Sequence, residues 1–254
     1  MIDIVLITTL SRPELLRQTV SSLSENATTR GYRLVIVIDG YERYDMQDFI
    51  GVNELIADSG AQNIILNCRR LGASASRNIG AGSIPKYRRG DYVLFLDDDV
   101  YCCPGWDKAL LDCYDRAHST IAPLPNGCVG WMREKANRII SGYSHPFNNC
   151  EKRAGWGEPL VISSVAMMMP WKIFDEVGPW DEPGGRGASE DYAMCCRARD
   201  KYGYGFAVTE PQCIIHTGLK SNDGQEIVGY HELQNQNNAL IQQYGLEGKV
   251  RMAL

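Results

Sequence analysis

The chain has 254 residues, of which 44% are hydrophobic and 22% charged, a globular composition with enough apolar side chains for a sizeable core. The formal net charge of −5 gives no overall attraction to nucleic acid or to an anionic membrane, and no apolar run approaches the roughly 20 residues that cross a bilayer. Nine cysteines, without a CxxC zinc spacing, indicate reduced thiols and a soluble, cytoplasmic protein.

The first hundred residues alternate predicted strands with predicted helices. Apolar runs predict four strands, at Ile2–Thr8, Leu34–Ile38, Asn63–Asn67 and Tyr92–Leu96. Apolar residues at helical spacing predict a helix after the capping box Ser11–Glu14. Further helices are predicted over about 47–58 and after Gly72, where the helix opens with small residues. This alternation is typical of an α/β fold with a mostly parallel sheet covered on both faces, in which ligands bind beyond the carboxyl ends of the strands.

The second half of the sequence is less regular. Strands are predicted at Leu160–Met169, Gly205–Val208 and Cys213–His216. Helices are predicted at Gly105–Arg116, Trp171–Val177, Glu190–Tyr202 and Tyr230–Tyr244. Residues 118–160, rich in Gly, Pro and Asn, cannot be ordered from the pattern. The sequence contains no repeat, low-complexity tract or linker, which favours one domain over residues 1–254.

The most informative stretch is VLFLDDDVYCCPGW, in which a buried strand runs into Asp97, Asp98 and Asp99. Neighbouring carboxylates repel each other and raise each other's pKa. A divalent cation relieves this repulsion, and Mg²⁺ or Mn²⁺ suits hard oxygen ligands while keeping positions open for phosphate oxygens. The pattern therefore indicates a metal bound to a substrate's phosphates, with a solvated loop as the alternative.

Two other predicted strands also end in polar residues. Thr8 ends the first strand and Asp39 follows the second. In a doubly wound sheet these ends lie beside the aspartates, so they are expected to line one cleft. For Asp39 alone, a turn-forming role in its Asp-Gly dipeptide is the alternative.

Six segments resemble, in order and spacing, GT-A glycosyltransferases of the family 2 type: DIVLITTLSRPELLRQTVSSL, VIVIDG, RRLGASASRNIGAG, FLDDDV, VGPWDE and EDYAMCCRARDKYGYGF. The resemblance implies one GT-A, Rossmann-like domain with a mostly parallel central sheet flanked by helices and a smaller antiparallel portion in the second half. It divides the chain into a nucleotide-binding half (1–100), an acceptor and catalytic half (101–225) and a C-terminal helical segment (226–254). It also implies a hexosyltransferase-type enzyme that uses a nucleotide-sugar donor, usually with Mn²⁺ or Mg²⁺.

The resemblance implies four contacts to the donor nucleotide. Asp39 matches the acid that recognises the base, usually uracil, so a UDP-sugar is favoured; the following residues, YERYD, depart from the family pattern and leave the base open. Thr8 and Arg12 match the first loop, which touches the nucleoside. Arg77 matches the arginine of the family's RN motif near the nucleotide, where a cation offsets diphosphate charge, with a surface salt bridge as the alternative.

The D-x-D motif is matched by Asp97 and Asp99. In the family, the first usually meets the ribose and the last coordinates the metal; Asp98 joins the nucleotide-sugar set, and Asp97 is a second candidate ligand. The resemblance adds His216 as a further metal ligand, which suits Mn²⁺ better than Mg²⁺. A structural histidine at the end of a strand is the alternative.

On the acceptor side, Asp181 and Glu182 match a loop that usually lies near the acceptor. Trp156 and Trp180 lie in glycine-rich loops, where an indole can stack on a sugar face or fill the core. Residues 118–160, which hold Trp156, are expected to choose an acceptor that the sequence does not identify.

The pair Glu190-Asp191 matches the ED at the start of a helix, where a carboxylate also suits the helix dipole. In inverting members of the family, the aspartate takes the proton from the acceptor hydroxyl, a step that the chemistry requires. The resemblance therefore implies Asp191 as the base, Glu190 as its support, and inversion of the anomeric centre.

Other functions fit these residues less well. A haloacid-dehalogenase-type phosphatase also places D-x-D after an apolar strand, but near the N-terminus and followed by Gly-Thr, whereas Val100-Tyr101 follow here. A non-catalytic nucleotide-sugar-binding relative is disfavoured because Asp97, Asp99 and Asp191 are all present. A nucleotidyltransferase opens with G-x-G-x-R, which TTLSRPE lacks. The oligomeric state is left open.

Overall fold

A computed structural model describes residues 1–29, 31–43, 54, 57, 60–118, 138–141, 162–182, 190–202, 205–209, 212–218 and 230–252. The strands in these ranges are β1 (Ile2–Thr8), β2 (Tyr32–Asp39), β3 (Asn63–Asn67), β4 (Tyr92–Asp97), β5 (Val100–Cys102), β6 (Arg138–Ser141), β7 (Ala166–Pro170), β8 (Gly205–Val208) and β9 (Ile214–His216). The helices are α1 (Pro13–Glu25), α2 (Ala73–Gly82), α3 (Trp106–His118), α4 (Trp171–Val177), α5 (Glu190–Tyr202) and α6 (Tyr230–Gln243). None of these described helices is long and apolar enough to cross a membrane.

Seven strands form one mixed sheet in the order β3-β2-β1-β4-β7-β6-β8. The pairs from β3 to β4 are parallel, β7 runs antiparallel to both of its neighbours, and β6 and β8 are parallel. Strands β5 and β9 form a separate antiparallel pair. The predicted α/β fold, with a mostly parallel sheet and a smaller antiparallel portion in the second half, is confirmed.

Strand register brings the polar strand ends to one edge of the sheet. Ile7 pairs with Asp97 of β4, and Thr8 pairs with Ile38, the residue before Asp39. The carboxyl ends of β1, β2 and β4 therefore lie side by side, with β1 in the middle.

Side chains alternate between the two faces of β1, so the sheet has a core on each side. Ile4 and Leu6 pack into one core, against α1 and α3, and Val5 packs into the other, which α2 covers. A Cβ atom at Gly80 of α2 would lie 2.3 Å from a methyl carbon of Val5, so the glycine permits α2 to approach the sheet closely.

The structure differs from the sequence-based predictions at the start of α1 and at the start of β7. The capping box is wrong: Pro13 opens α1, which makes Arg12 the N-cap, so Ser11 lies one residue too early and its hydroxyl pairs with Thr9 instead. The strand predicted over Leu160–Met169 begins only at Ala166, because residues 164–165 turn. The helix predicted over 47–58 falls almost entirely outside the described residues.

A buried carboxylate ties α3 to the segment that follows α1. Asp107 accepts hydrogen bonds from the backbone amides and hydroxyls of both Thr28 and Thr29, at 2.6–3.1 Å. Burial alone would raise the pKa of Asp107, but these hydrogen bonds outweigh it and hold the pKa below its ordinary value.

We predict that Asp107→Asn lowers the free energy of unfolding at pH 7 by about 2 kcal/mol, because an amide can accept at one atom only. A lowered folded-state pKa stabilises above the unfolded value of about 4, so the difference from wild type should shrink as the pH falls below about 4. Urea unfolding at pH 7 and pH 3 measures both effects. The control is Asp112→Asn, at an exposed residue of the same helix. Equal losses in the two variants would contradict the prediction.

Candidate functional site

The three aspartates occupy the bend between β4 and β5. Asp97 ends β4, while Asp98 and Asp99 lie in the bend itself. The Thr8 hydroxyl donates to a carboxylate oxygen of Asp98 over 2.5 Å, and the Thr19 hydroxyl of α1 donates to the Asp98 carbonyl over 2.8 Å. Side chains from β1 and α1 therefore fix the bend, and the sheet brings Thr8 and the aspartates together as predicted.

Asp99 lies between the guanidinium of Arg12 and the imidazole of His216. Its Oδ2 is 2.7 Å from Arg12 Nη2, and its Oδ1 is 3.3 Å from His216 Nε2. Thr217 donates its amide and its hydroxyl to the Asp99 carbonyl, both over 2.8 Å. A Cβ atom at Gly218 would lie 2.0 Å from Asp99 Oδ2, so this position requires glycine. Sequence reasoning missed Gly218, although a glycine two residues after a strand-ending histidine is a signal of close approach.

Burial and neighbouring charges give the three carboxylates different pKa values. Burial, followed by the charge of Asp99, raises the pKa of Asp98 to about 7. Burial also raises the pKa of Asp97, and it would raise that of Asp99, but His216 and Arg12 hold the Asp99 pKa well below its ordinary value. Burial would lower the pKa of His216, yet Asp99 raises it. Asp99 is therefore the carboxylate of the cluster whose negative charge the neighbouring side chains favour most.

Arg77 connects this bend to the start of α5. Its side chain, with 1% exposure, places Nη2 at 2.8 Å from Asp97 and Nη1 at 3.3 Å from Glu190. Its guanidinium carbon lies 4.9 Å from the centre of the Trp180 ring. Arg77 is thus a buried joint between two parts of the site, and not a surface salt bridge.

Asn78, the next residue of the same motif, holds the loop that contains Trp180. It accepts a hydrogen bond from the Trp180 amide (2.8 Å) and donates to the Trp180 carbonyl (2.9 Å) and to Glu182 (2.7 Å). The neighbouring Asp181 pairs with Arg197 at 2.5 Å. The two candidate acids of this loop therefore have structural partners, while contact with an acceptor stays a prediction for both.

Of the two candidate tryptophans, Trp180 lies within the described residues. Trp180 is 1% exposed and packs edge-on against Phe95, at 5.2 Å between ring centres. In this conformation the indole fills the core and presents no open face to a sugar. Trp156 lies outside the described residues.

Asp191 lies in the first turn of α5, next to Glu190. Its Oδ1 accepts a hydrogen bond from the Tyr192 amide at 2.8 Å. Burial, and then the charge of Glu190, raises the pKa of Asp191 above its ordinary value in spite of that hydrogen bond. A raised pKa makes a carboxylate a stronger proton acceptor, as a general base needs. Glu190 is held by Arg77, which leaves Asp191 as the better candidate of the two.

Asp39 lies apart from the aspartate cluster. Its two carboxylate oxygens accept the backbone amides of Leu71 and Gly72, each at 2.8 Å, and Asn67 donates to it over 3.4 Å. It is separated from Asp97 by β1, or roughly 10 Å at two strand spacings. Asp39 therefore shapes the loop that precedes α2. Its recognition of a nucleotide base stays a prediction.

The residues that could hold a metal are Asp99 and His216. Among the described residues, no group of three or more His, Cys, Asp or Glu side chains is arranged to hold one. Adjacent ligands of an octahedral ion lie about 3 Å apart, so the 3.3 Å separation of Asp99 Oδ1 and His216 Nε2 fits a shared cation. An oxygen and an imidazole nitrogen suit Mn²⁺, with phosphate oxygens and water at the other positions.

The mostly parallel sheet with its smaller antiparallel sheet is the GT-A fold of glycosyltransferases, and the three aspartates lie at its carboxyl edge. The profile of glycosyl transferase family 2 matches residues 4–177. The chain belongs to this family, as the resemblance implied. No curated protein sequence matches the chain.

Solved structures are similar in fold at low sequence identity. TarS of S. aureus is 16% identical, with a TM-score of 0.52, and the match covers 83% of this chain and 37% of TarS. The mannosyltransferase PcManGT of Pyrobaculum calidifontis, in complex with GDP-Man and Mn²⁺, is 13% identical, with a TM-score of 0.56 and coverages of 100% and 65%. GalNAc-T7 with UDP, GalNAc and Mn²⁺ is 16% identical, with a TM-score of 0.57 and coverages of 84% and 42%. The chain spans less than two thirds of the length of each.

We predict that Arg77→Met lowers the free energy of unfolding by about 3 kcal/mol, because it leaves Asp97 and Glu190 without their shared cation. Arg77→Lys should recover only part of the loss. The lysine ammonium keeps the positive charge but lacks the planar guanidinium that reaches both carboxylates. The control is Arg88→Met, at an exposed arginine. Chemical unfolding followed by circular dichroism measures all three variants. A loss at Arg77 no larger than at Arg88 would show that the joint carries no stability.

Proposed function

We propose that this domain transfers a sugar from a nucleotide-sugar donor, with a UDP-sugar favoured, to an acceptor hydroxyl with inversion and with the help of a divalent metal. The observation that carries the proposal is the Arg77 joint, which sets the carboxylate bend and the start of α5 against each other across one buried cation. Family membership supports the sugar transfer. The nucleotides and Mn²⁺ in the PcManGT and GalNAc-T7 complexes support the donor class and the metal.

On the donor side, Asp99 and His216 would hold the metal, and Mn²⁺ is favoured over Mg²⁺ by the imidazole. When bound, the metal neutralises diphosphate charge and so stabilises the leaving nucleotide. Asp97 would meet the ribose, and Thr8 would shape the first loop beside the nucleoside. Arg77 acts by positioning Asp97, since its buried side chain has carboxylate partners of its own.

On the acceptor side, Asp191 would take the proton from the attacking hydroxyl. The hydroxyl oxygen then forms a bond to the anomeric carbon as the bond between that carbon and the diphosphate oxygen breaks. Attack opposite the leaving group inverts the anomeric centre. Glu190, held by Arg77, fixes the first turn of α5 and adds the negative charge that raises the pKa of Asp191. This assigns nucleotide binding to residues 1–100 and acceptor binding and catalysis to 101–225.

We predict that UDP binds much more tightly with Mn²⁺ than with a chelator, because the carboxylate bend repels a bare diphosphate. Asp99→Ala should lose most of this metal dependence while melting close to the wild-type temperature, since removal of one of three repelling carboxylates offsets the lost contacts with Arg12 and His216. Calorimetry of UDP binding with Mn²⁺ and with EDTA measures both effects. The control is Asp112→Ala, on the exposed face of α3. Equal UDP affinity with and without metal in the wild type would remove the metal from the proposal.

We predict that Asp191→Asn keeps donor and metal binding but lowers the catalytic constant by about 10²–10⁴-fold, because asparagine cannot accept the proton. In the wild type the rate should fall as the pH drops through the raised pKa of Asp191, and this limb should be absent in the variant. Turnover is measured with an acceptor found by screening glycans, lipids and small molecules against a UDP-sugar panel. The control is Asp200→Asn, at an exposed residue of the same helix.

Two outcomes would redirect the proposal. Near-normal turnover of Asp191→Asn would remove the base role. Donor binding without transfer or donor hydrolysis, in the wild type and with every acceptor, would favour the alternative of a non-catalytic nucleotide-sugar-binding protein.

A further inference from the structure

Arg12 binds the carboxylate that is the strongest candidate to hold the metal. The resemblance places it beside the nucleoside, but its Nη2 lies 2.7 Å from Asp99 Oδ2 and 3.7 Å from Asp98 Oδ1. The Asp99 oxygen that Arg12 binds belongs to the same carboxylate whose other oxygen faces His216. Both oxygens of the proposed metal ligand thus have cationic or potentially cationic partners.

The local charge explains why this pairing forms. Four acidic side chains, Asp97, Asp98, Asp99 and Glu190, lie along the bend and the start of α5. Arg77 is committed to the outer two of these, Asp97 and Glu190, through its two terminal nitrogens. Arg12 is therefore the arginine that neutralises the inner two. A divalent ion held by Asp99 Oδ1 and His216 would repel the Arg12 guanidinium, which lies 2.7 Å from the other oxygen of the same carboxylate, so the ion and Arg12 compete for Asp99.

The loop that carries Arg12 is strained at Leu10 and held at Arg12. Leu10 has φ +56°, in the left-handed region, which costs energy for a residue other than glycine. Arg12 itself is the N-cap of α1, and no side chain in the described part of the chain caps that helix. The Arg12 carbonyl accepts the amides of Leu15 and Leu16, and Leu10 is buried. Arg12 would therefore leave Asp99 by a movement of its side chain, with the backbone in place.

We propose that Arg12 is a built-in counter-ion that exchanges with the metal. In the metal-free protein it neutralises Asp98 and Asp99; when metal and donor arrive together, it leaves Asp99 for the diphosphate, whose oxygens match a guanidinium fork. The inference rests on the proposed function. The exchange has a consequence of its own. Metal without diphosphate must displace Arg12 while no diphosphate is present to accept its guanidinium. Metal and diphosphate should therefore bind cooperatively, each improving the affinity of the other by the same factor.

The test uses Mn²⁺ alone, without nucleotide, and follows free Mn²⁺ by electron paramagnetic resonance. Arg12→Ala should bind Mn²⁺ about tenfold more tightly than the wild type, because no cation has to leave Asp99. Its melting temperature in EDTA should fall, since the carboxylates lose a counter-ion, and Mn²⁺ should raise that temperature more than in the wild type. The matched control is Arg17→Ala, which changes the net charge equally at an exposed position of α1, and it should behave as the wild type does in both measurements.

Arg12→Gln gives the same test with a neutral side chain that can still donate to Asp99, should the alanine variant fail to fold. A second titration, of UDP at saturating Mn²⁺, should show weaker binding in both Arg12 variants, because the diphosphate loses its guanidinium. The improvement of Mn²⁺ affinity by UDP should therefore be smaller in the variants than in the wild type.

Equal Mn²⁺ affinity in the wild type and the Arg12 variants would overturn the exchange. If the wild type still bound UDP in an Mn²⁺-dependent manner, the proposed function would stand without it. Absence of Mn²⁺ binding from every variant and the wild type, with and without UDP, would overturn both the exchange and the metal requirement of the proposed function.

Discussion

The constraint on which the site depends is the repulsion among three carboxylates at the end of a buried strand. Strand β4 delivers Asp97 to Asp99 where little water can screen their charge, so the surrounding chain must supply positive charge and hydrogen-bond donors. It does so from β1, α1, α2 and β9, and Gly218 leaves room for the closest of these contacts. These side chains near the bend reduce the repulsion by donating hydrogen bonds to the carboxylates or by placing positive charge beside them.

The pairing of charges also organises the rest of the molecule. Arg77 spans from β4 to α5, and Asn78 beside it fixes the loop that leads toward that helix. Buried ion pairs contribute little net stability compared with apolar packing of the same volume, so stability alone does not account for such a joint. A positional role does: the joint sets the distance between the group that meets the donor and the acid proposed to act on the acceptor.

Much of the fold could be predicted from local pattern. Strand β1, strand β3 and helix α5 begin and end where the periodicity of their apolar residues and their flanking residues place them. Errors arose where two local signals competed. At the start of α1, the capping residue Ser11 and the helix-opening Pro13 specify different first residues, and the fixed φ angle of proline decides the outcome. Before β7, Ser163 and Ser164 interrupt the apolar run, and the chain turns at residues 164–165 before the strand begins.

The sequence by itself determined the class of fold, the polar residues that follow strands β1, β2 and β4, and the family. Each of these depends on residues close together in the chain. It did not determine which charges meet. Arg12 and Asp99 are 87 residues apart, and Arg77 and Glu190 are 113 apart. Their pairing follows from strand register, from the packing of α1 and α2 on opposite faces of the sheet, and from the missing side chain at Gly218. Such contacts depend on distances of a few ångströms between elements, and only the packed tertiary structure specifies distances of that kind.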